Sequence, residues 1–458
     1  MKEHNAIEKG KGILSGLNSV FGTGFQVTVK IVLSGIVILF LMIPSSMIMS
    51  IIKEREERKD DVVKEISGKW GGTQMIAGPF ISIPSKQKDP GGAVKYFHFL
   101  PDELSLSGKL NPEIRYRGIF DTVVYASTLD FNANFADVGK DDNDLDSSKA
   151  MICIGLSDLK GITSPVMATI NGKTVEFSAG LPSDDLSSCG ISAKMPPEFL
   201  KKTSDEGNTP GQLLAKLKIN LNGSREISFL PLRKTTDVKI QSSWNSPSFS
   251  GAYLPVAREV KENGFDAGWK ILEMNRAYPQ KWSGKAHNVA DSSFGVKLVV
   301  PVNIYQQTSR TAKYALLFIV FTFSSFFFTE FLTKMRIHII QYLMTGLAVV
   351  MFYSLLLAVS EHMSFARAYF VSAAAVVILI GFYTRGILKR LKFSLALSGI
   401  ISILYTYFYI ILQMEDYALL TGNIGLFTVL AIFMFITRNI NRTETGNETV
   451  VLGKGEFS

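Results

Sequence analysis

The chain has 458 residues, of which 47% are hydrophobic and 19% charged, with 32 phenylalanines and a formal net charge of +8. This balance points to a membrane protein. The positive excess does not point to nucleic acid, because the basic residues gather at the ends of apolar runs and no basic stripe with interleaved aromatics is present.

Residues 1–30 carry Lys2, Lys9, Lys11 and Lys30 and lead into the first apolar run, 31–52. About 20 helical residues cross a bilayer core of about 30 Å, so this run predicts a span. It is too long for a signal-peptide core, and neither Pro44-Ser45-Ser46 nor Lys53-Glu54-Arg55 offers a small-x-small cleavage site, so an uncleaved anchor is expected. No lipidation Cys and no Gly after Met1 is present, so anchoring rests on spans alone. The opposite-charge pairs Lys53/Glu57 and Glu54/Arg58, followed by the apolar stripe Val62, Val63, Ile66 and Trp70, predict that the helix continues as a stalk. Such a stalk is a passive joint or a transmitter of motion.

From Gly71 onward short alternating segments are broken by Gly, Pro, Asn and Asp, with strands expected near 80–84, 94–100, 118–124, 127–135, 150–156, 166–170, 173–178, 215–221 and 226–229. Asn171-Gly172 and Asn222-Gly223 read as hairpin turns. Antiparallel sheets packed as one or two sandwiches follow. The run Lys140-Asp141-Asp142-Asn143-Asp144-Leu145-Asp146 lacks the Gly and the closing Glu of an EF-hand loop and reads as a solvated surface loop. Cys153 and Cys189 form a disulfide if their Cα atoms approach within about 7 Å, and are otherwise two free thiols.

Catalytic motifs are absent from this region. Only His98 and His287 could serve as an imidazole base. Gly155-Leu156-Ser157 lacks the second Gly of a nucleophile elbow, and no phosphate-cradling loop, His-Glu-x-x-His or paired Cys-x-x-Cys occurs. No catalytic residue, cofactor site or metal site is assigned.

Five further apolar runs close the chain, at 314–332, 337–360, 365–384, 393–413 and 417–437. Lys334 and Arg336, then Arg385, Lys389, Arg390 and Lys392, then Arg438 and Arg442 fall in alternate links, while the opposite short loops hold Arg367, or Glu415 and Asp416. The alternation predicts that both termini are cytoplasmic and the 53–313 region is extracytoplasmic. Ionisable residues at the membrane are costly and therefore informative. Glu361, His362, Arg367, Glu415 and Asp416 form a candidate functional rim at the outer end of the bundle, to be weighed against plain interfacial residues. Glu330, four residues before Lys334, reads as a local ion pair. Tyr405, Tyr407, Tyr409 and Tyr417 suit interface anchors or a pocket. Pro44 breaks the first run, but the five-helix block has no matching pair of breaks, which disfavours a transporter with inverted repeats.

Three long motifs stand out: His338-Ile339-Ile340-Gln341-Tyr342-Leu343, Phe352-Tyr353-Ser354-Leu355-Leu356-Leu357 with Ser360-Glu361-His362, and Gln413-Met414-Glu415-Asp416-Tyr417-Ala418-Leu419-Leu420. With them the chain resembles the CreD family of bacterial inner-membrane proteins. Trp70-Gly71-Gly72, Arg115-Tyr116-Arg117-Gly118-Ile119 and Pro247-Ser248-Phe249 continue the similarity, which runs over about residues 43–438. The acidic stretch at 140–148 departs from the family pattern. The resemblance implies a role in cell-envelope integrity or envelope-stress response, with no activity, cofactor or catalytic residue attached to it.

The expected architecture is therefore membrane α plus β. It comprises a cytoplasmic segment (1–30), a transmembrane helix (31–52), a sandwich-like periplasmic β-rich domain with a helical stalk (53–313), a five-helix transmembrane bundle (314–437) and a cytoplasmic tail (438–458). Its partners are the lipid bilayer and an envelope protein or a wall or lipid component. A transporter or channel using the acidic rim, and a periplasmic hydrolase using His98 or His287, are the rival functions.

Overall fold

The computed structural model describes residues 23–88, 92–136, 138, 144–200, 212–232, 234–300, 304–333, 335, 337–414 and 417–437. The chain divides into two compact units, Met1–Glu56 with Asn303–Ser458, and Glu57–Val302.

The first unit is helical. Helix α1 (Thr23–Trp70) is one 48-residue helix with Pro44 inside it, so the anchor does continue as a stalk. After the second unit come α2 (Ile304–Lys313), α3 (Ala315–Thr333), α4 (Ile339–Ser360), α5 (Phe365–Leu388), α6 (Leu391–Gln413) and α7 (Ala418–Thr437). Among the described residues four helices are long and apolar enough to cross a membrane, and five if α2 and α3 count as one span bent by 47°. The expected second span, 314–332, is the helix α3, and the bend separates it from α2 before it. The amide of Tyr314 bonds the carbonyl of Thr311, three residues back, and the helix axis turns there without Pro or Gly. α7 forms as a helix but is not among those four or five, so six spans are not established.

Aromatic side chains fill this unit. Phe318 stacks on Phe408 with ring centroids 3.9 Å apart. The Phe352 ring lies against Tyr353, Tyr369 and Tyr405 at 4.8 to 5.3 Å. Where α1 passes α4, a side chain in place of Gly346 would meet Leu41 Cδ1 at 2.1 Å, so a larger residue there would have to displace Leu41.

The second unit is a two-sheet β fold. Its strands are β1 (Gln74–Lys88), β2 (Val94–Phe99), β3 (Glu103–Arg117), β4 (Phe120–Phe135), β5 (Met151–Leu156), β6 (Met167–Ile170), β7 (Lys173–Glu176), β8 (Ser178–Ala179), β9 (Gly190–Lys194), β10 (Leu213–Ser224), β11 (Glu226–Phe229), β12 (Thr235–Ser242), β13 (Pro247–Gly251), β14 (Ala257–Lys261), β15 (Gly264–Leu272), β16 (Lys281–Ser283) and β17 (Phe294–Leu298). One sheet has nine strands along β13-β17-β11-β1-β5-β9-β8, with β2 and β16 attached beside β1. The other has eight, in the order β14-β15-β12-β3-β4-β10-β6-β7. Strict alternation along β3 and β10 sends Leu104, Leu106, Leu110, Leu217 and Ile219 into the main core, where Ile76, Ile81 and Ile83 of β1 also pack. A smaller second core lies on the other face of β1, around Phe80, Cys153, Tyr278 and Trp282.

Asn171-Gly172 forms the β6–β7 turn, with φ of 44° and 83°. Asn222-Gly223 does not turn. Both residues lie inside β10, paired with Ala126 and Tyr125 of β4. Glycine is needed at 223 because a Cβ would sit 2.3 Å from the Tyr125 hydroxyl oxygen. The chain leaves the sheet two residues later, at Arg225 (φ 63°), and enters the other sheet as β11, parallel to β1.

The two cysteines are free. Cys153 stands opposite Ser192 in the β5–β9 ladder, three residues beyond Cys189. That offset, roughly 10 Å along a strand, is too long for a disulfide.

Candidate functional site

Of the five rim residues three lie among the described residues, Glu361, His362 and Arg367. Glu361 caps the end of α4 and accepts a hydrogen bond from the Tyr305 hydroxyl at 3.2 Å. Arg55 of α1 lies 3.8 Å from the same carboxylate. His362 and Arg367 are exposed, with no contact to Glu361 among the described residues. Glu415 and Asp416 lie outside the described residues.

A second ionic contact holds α1 near its other end, seven residues after Thr23. Lys30 pairs with Glu330 of α3, donates to the carbonyl of Ile337 at 2.7 Å, and lies over the Tyr342 ring at 5.4 Å. The Tyr342 hydroxyl donates to Glu330 at 3.3 Å. Glu330 is therefore a long-range partner of α1; the local pair expected with Lys334 involves a residue outside the described ones. Lys30 and Arg55 are 25 positions apart on one helix, a rise of about 37 Å. That matches a bilayer core with part of its headgroup layers. Neither Lys30, Arg55 nor Tyr305 could be named from sequence, because no local spacing joins residues so far apart.

Between these ends lie buried hydroxyls. Tyr369 donates to the carbonyl of Tyr405 at 2.8 Å. The hydroxyls of Tyr353, Tyr405 and Thr322 are buried without a hydrogen-bond partner among the described residues. Tyr405 is thus core, whereas Tyr417 is 61% exposed and fits an interface position.

In the β unit, β1, β2 and β16 align Ser82, His98 and Trp282 side by side in one row. His98 Nδ1 lies 2.9 Å from Ser82 Oγ, and His98 Nε2 lies 2.9 Å from Asp185 Oδ2. Ser183 donates to the same carboxylate oxygen at 3.2 Å. Phe80 and Trp282 present ring edges or faces to the imidazole at 5.9 and 6.2 Å. Burial pulls the His98 pKa below its ordinary value, opposed by the Asp185 carboxylate. Nearby, burial pushes the Cys153 thiol up to about 12, which leaves it unreactive.

These three residue types recur in nucleophilic catalysis, but the geometry here does not serve it. A catalytic serine must face a substrate, and Ser82 is fully buried on β1. Serine and carboxylate on the two ring nitrogens is the pairing of a triad, so it is the burial of Ser82, away from any substrate, that separates this network from one. The network satisfies a polar group inside the second core. His287 stands outside it, edge-on to Trp282 at 5.7 Å. Ser157 bonds the backbone of Thr73 and Met75, at 2.6 and 2.9 Å, and is also structural.

A family model described as inner membrane protein CreD matches residues 26–443. The chain is also 32% identical to the inner membrane protein CreD of Escherichia coli (strain K12) over 425 residues, which is 88% of this chain and 91% of that protein.

Proposed function

This chain belongs to the CreD family of inner membrane proteins, and on that premise we propose that it supports cell-envelope integrity, or the response to envelope stress, as a non-enzymatic membrane scaffold. Both termini are cytoplasmic in this reading, and residues 53–313, with the β unit, are periplasmic. The observation that carries it is the double attachment of α1. Lys30–Glu330 at one end and Arg55–Glu361 at the other fix the anchor within its own helical unit. Such an anchor suits a protein that bears a load or holds a position. The sealed Ser82–His98–Asp185 network supports the absence of catalysis in the β unit.

Two measurements test this. With Cys153 and Cys189 replaced by Ala, single cysteines at Lys109 and Arg390 should label from the periplasmic and cytoplasmic sides respectively. Labelling of both from one side overturns the topology. Deleting the chain should sensitise cells to envelope-damaging agents, and the full-length protein should restore resistance. Unchanged resistance after deletion would remove the envelope role.

A second reading, transport through the helical unit, draws on the unpartnered Tyr353 and Tyr405 hydroxyls. In lipid such groups call for water or a ligand. If Tyr353→Phe/Tyr405→Phe abolishes the phenotype while insertion and melting stay unchanged, transport gains. If the paired variant complements fully, the scaffold reading stands.

A further inference from the structure

The outer face of the eight-stranded sheet holds a feature that the scaffold role does not use. Four neighbouring strands, β12, β3, β4 and β10, turn one side toward the core and the other toward solvent. Their registers put Thr235, Glu103, Asn134 and Leu214 in one row. The next outward row is Asp237, Ser105, Asn132 and Lys216. These two rows line an open trough of ≈ 410 Å³. With strands about 4.8 Å apart, each row spans roughly 14 Å.

The chemistry of this trough is selective. Carboxylates accept, Lys216 donates, hydroxyls and side-chain amides do both, and most of these groups ride on short stems fixed to adjacent strands. Leu214, 51% exposed, is an apolar flank at one end. Asn134 Oδ1 is shielded from solvent yet lacks a hydrogen-bond partner among the described residues. A shielded acceptor of this kind calls for a donor that the protein does not supply. Glu103 and Asp237 oppose an anionic ligand. The trough lies on a sheet face, so it offers no backbone ladder to an extended peptide, which is taken up at sheet edges. A ligand rich in hydroxyl groups, uncharged and several rings long satisfies all of these conditions.

We propose that this trough binds a neutral oligosaccharide chain, with Asn132, Asn134 and Asp237 as its main hydrogen-bonding residues. The proposal rests on the reading that the β unit is periplasmic, where glycan polymers of this chemistry lie within reach.

The test uses the full-length protein in detergent micelles and a soluble tetramer of β-1,4-linked N-acetylglucosamine, with binding followed by saturation-transfer NMR and calorimetry. Saturable binding is expected. The paired variant Asn132→Ala/Asn134→Ala should weaken it at least tenfold, by about 1.4 kcal/mol, at an unchanged melting temperature. Lys109→Ala, two rows away on the same face, should leave binding intact. No saturation at millimolar tetramer, or binding indifferent to the paired variant, overturns the proposal, as does preference for an acidic tetrapeptide. If deletion of the chain sensitises cells yet no tetramer binds, this site falls alone. If the tetramer binds but deletion has no effect on resistance, the envelope role falls and the site stands.

Discussion

Inside the β unit the main core is largely aliphatic, with Ile, Leu and Val side chains alternating along strands such as β3 and β10. Inside the helical unit the centre is aromatic, with Phe318, Phe352, Tyr353, Tyr369, Tyr405 and Phe408 in mutual ring contact. The difference follows from the solvent each unit faces. In water, burial of apolar area drives the sheets together, at about 25 cal/mol per Å². In lipid that drive vanishes between helices, and close packing, ring contacts and polar bonds must hold them. In both units some buried polar groups are partnered and others are not: His98 has a partner on each nitrogen and Tyr369 donates to Tyr405, while Asn134 and Thr236 in the one unit and Tyr353 and Tyr405 in the other have none among the described residues.

The contrast can be broken at graded points. Phe131 is 1% exposed in the main core, so Phe131→Ala should destabilise the β unit by about 3–5 kcal/mol, read from thermal melting by circular dichroism. A loss below about 1 kcal/mol would mean that this core is not tightly packed. Lys30→Met should cost about 1–3 kcal/mol, because Glu330 loses its cation in a partly buried place. Adding Glu330→Gln should recover part of that loss, and full additivity in the cycle would deny the pair.

His98→Gln sharpens the comparison through pH. Burial lowers the folded-state pKa of His98 below its ordinary 6.5, so the unfolded chain takes up the proton first. The contribution is present above pH 6.5 and is lost as pH falls toward the folded-state value. The unaltered protein should melt at a lower temperature at about pH 5.5 than at about pH 7.5, and the variant should show a smaller difference. The smallest effect is expected from Arg117→Ala. Its hydrogen bond helps hold the Glu65 carboxyl down to about 2, but both groups stand in water, and the melting temperature should not move.

Much of the architecture was legible in the chain because it is written in local periods. Apolar runs located the helices, the i,i+4 charges and stripe after residue 52 extended α1, and two-residue alternation located β1, β2, β4 to β7, β10 and β11 but not β3, β8, β9 or the strands from β12 on. The Asn171-Gly172 turn was legible, since both residues adopt left-handed backbone. Asn222-Gly223 misled because glycine has two uses, and here it makes room for Tyr125 rather than a turn. The bend at Tyr314 left no mark, as neither Pro nor Gly causes it. The rim was legible only as isolated charges. That Glu361 takes Arg55 and Tyr305, and Glu330 takes Lys30, depends on contacts between distant segments that no local period encodes.

The Lys30–Glu330 contact joins residues 300 positions apart. In a membrane protein made from its amino terminus, this sets an order of assembly. At about 5–20 residues per second the ribosome needs roughly 15–60 s to go from one to the other. During that interval α1 sits among lipids with Lys30 unpaired and the groove for Leu41 not yet made, while the β unit is being synthesised and folded. α1 thus enters the bilayer well before the helices that seat it are made. A newly made chain passes through a stage in which a finished β unit hangs from a helix that is not yet docked, and at that stage quality-control proteases have their best opportunity.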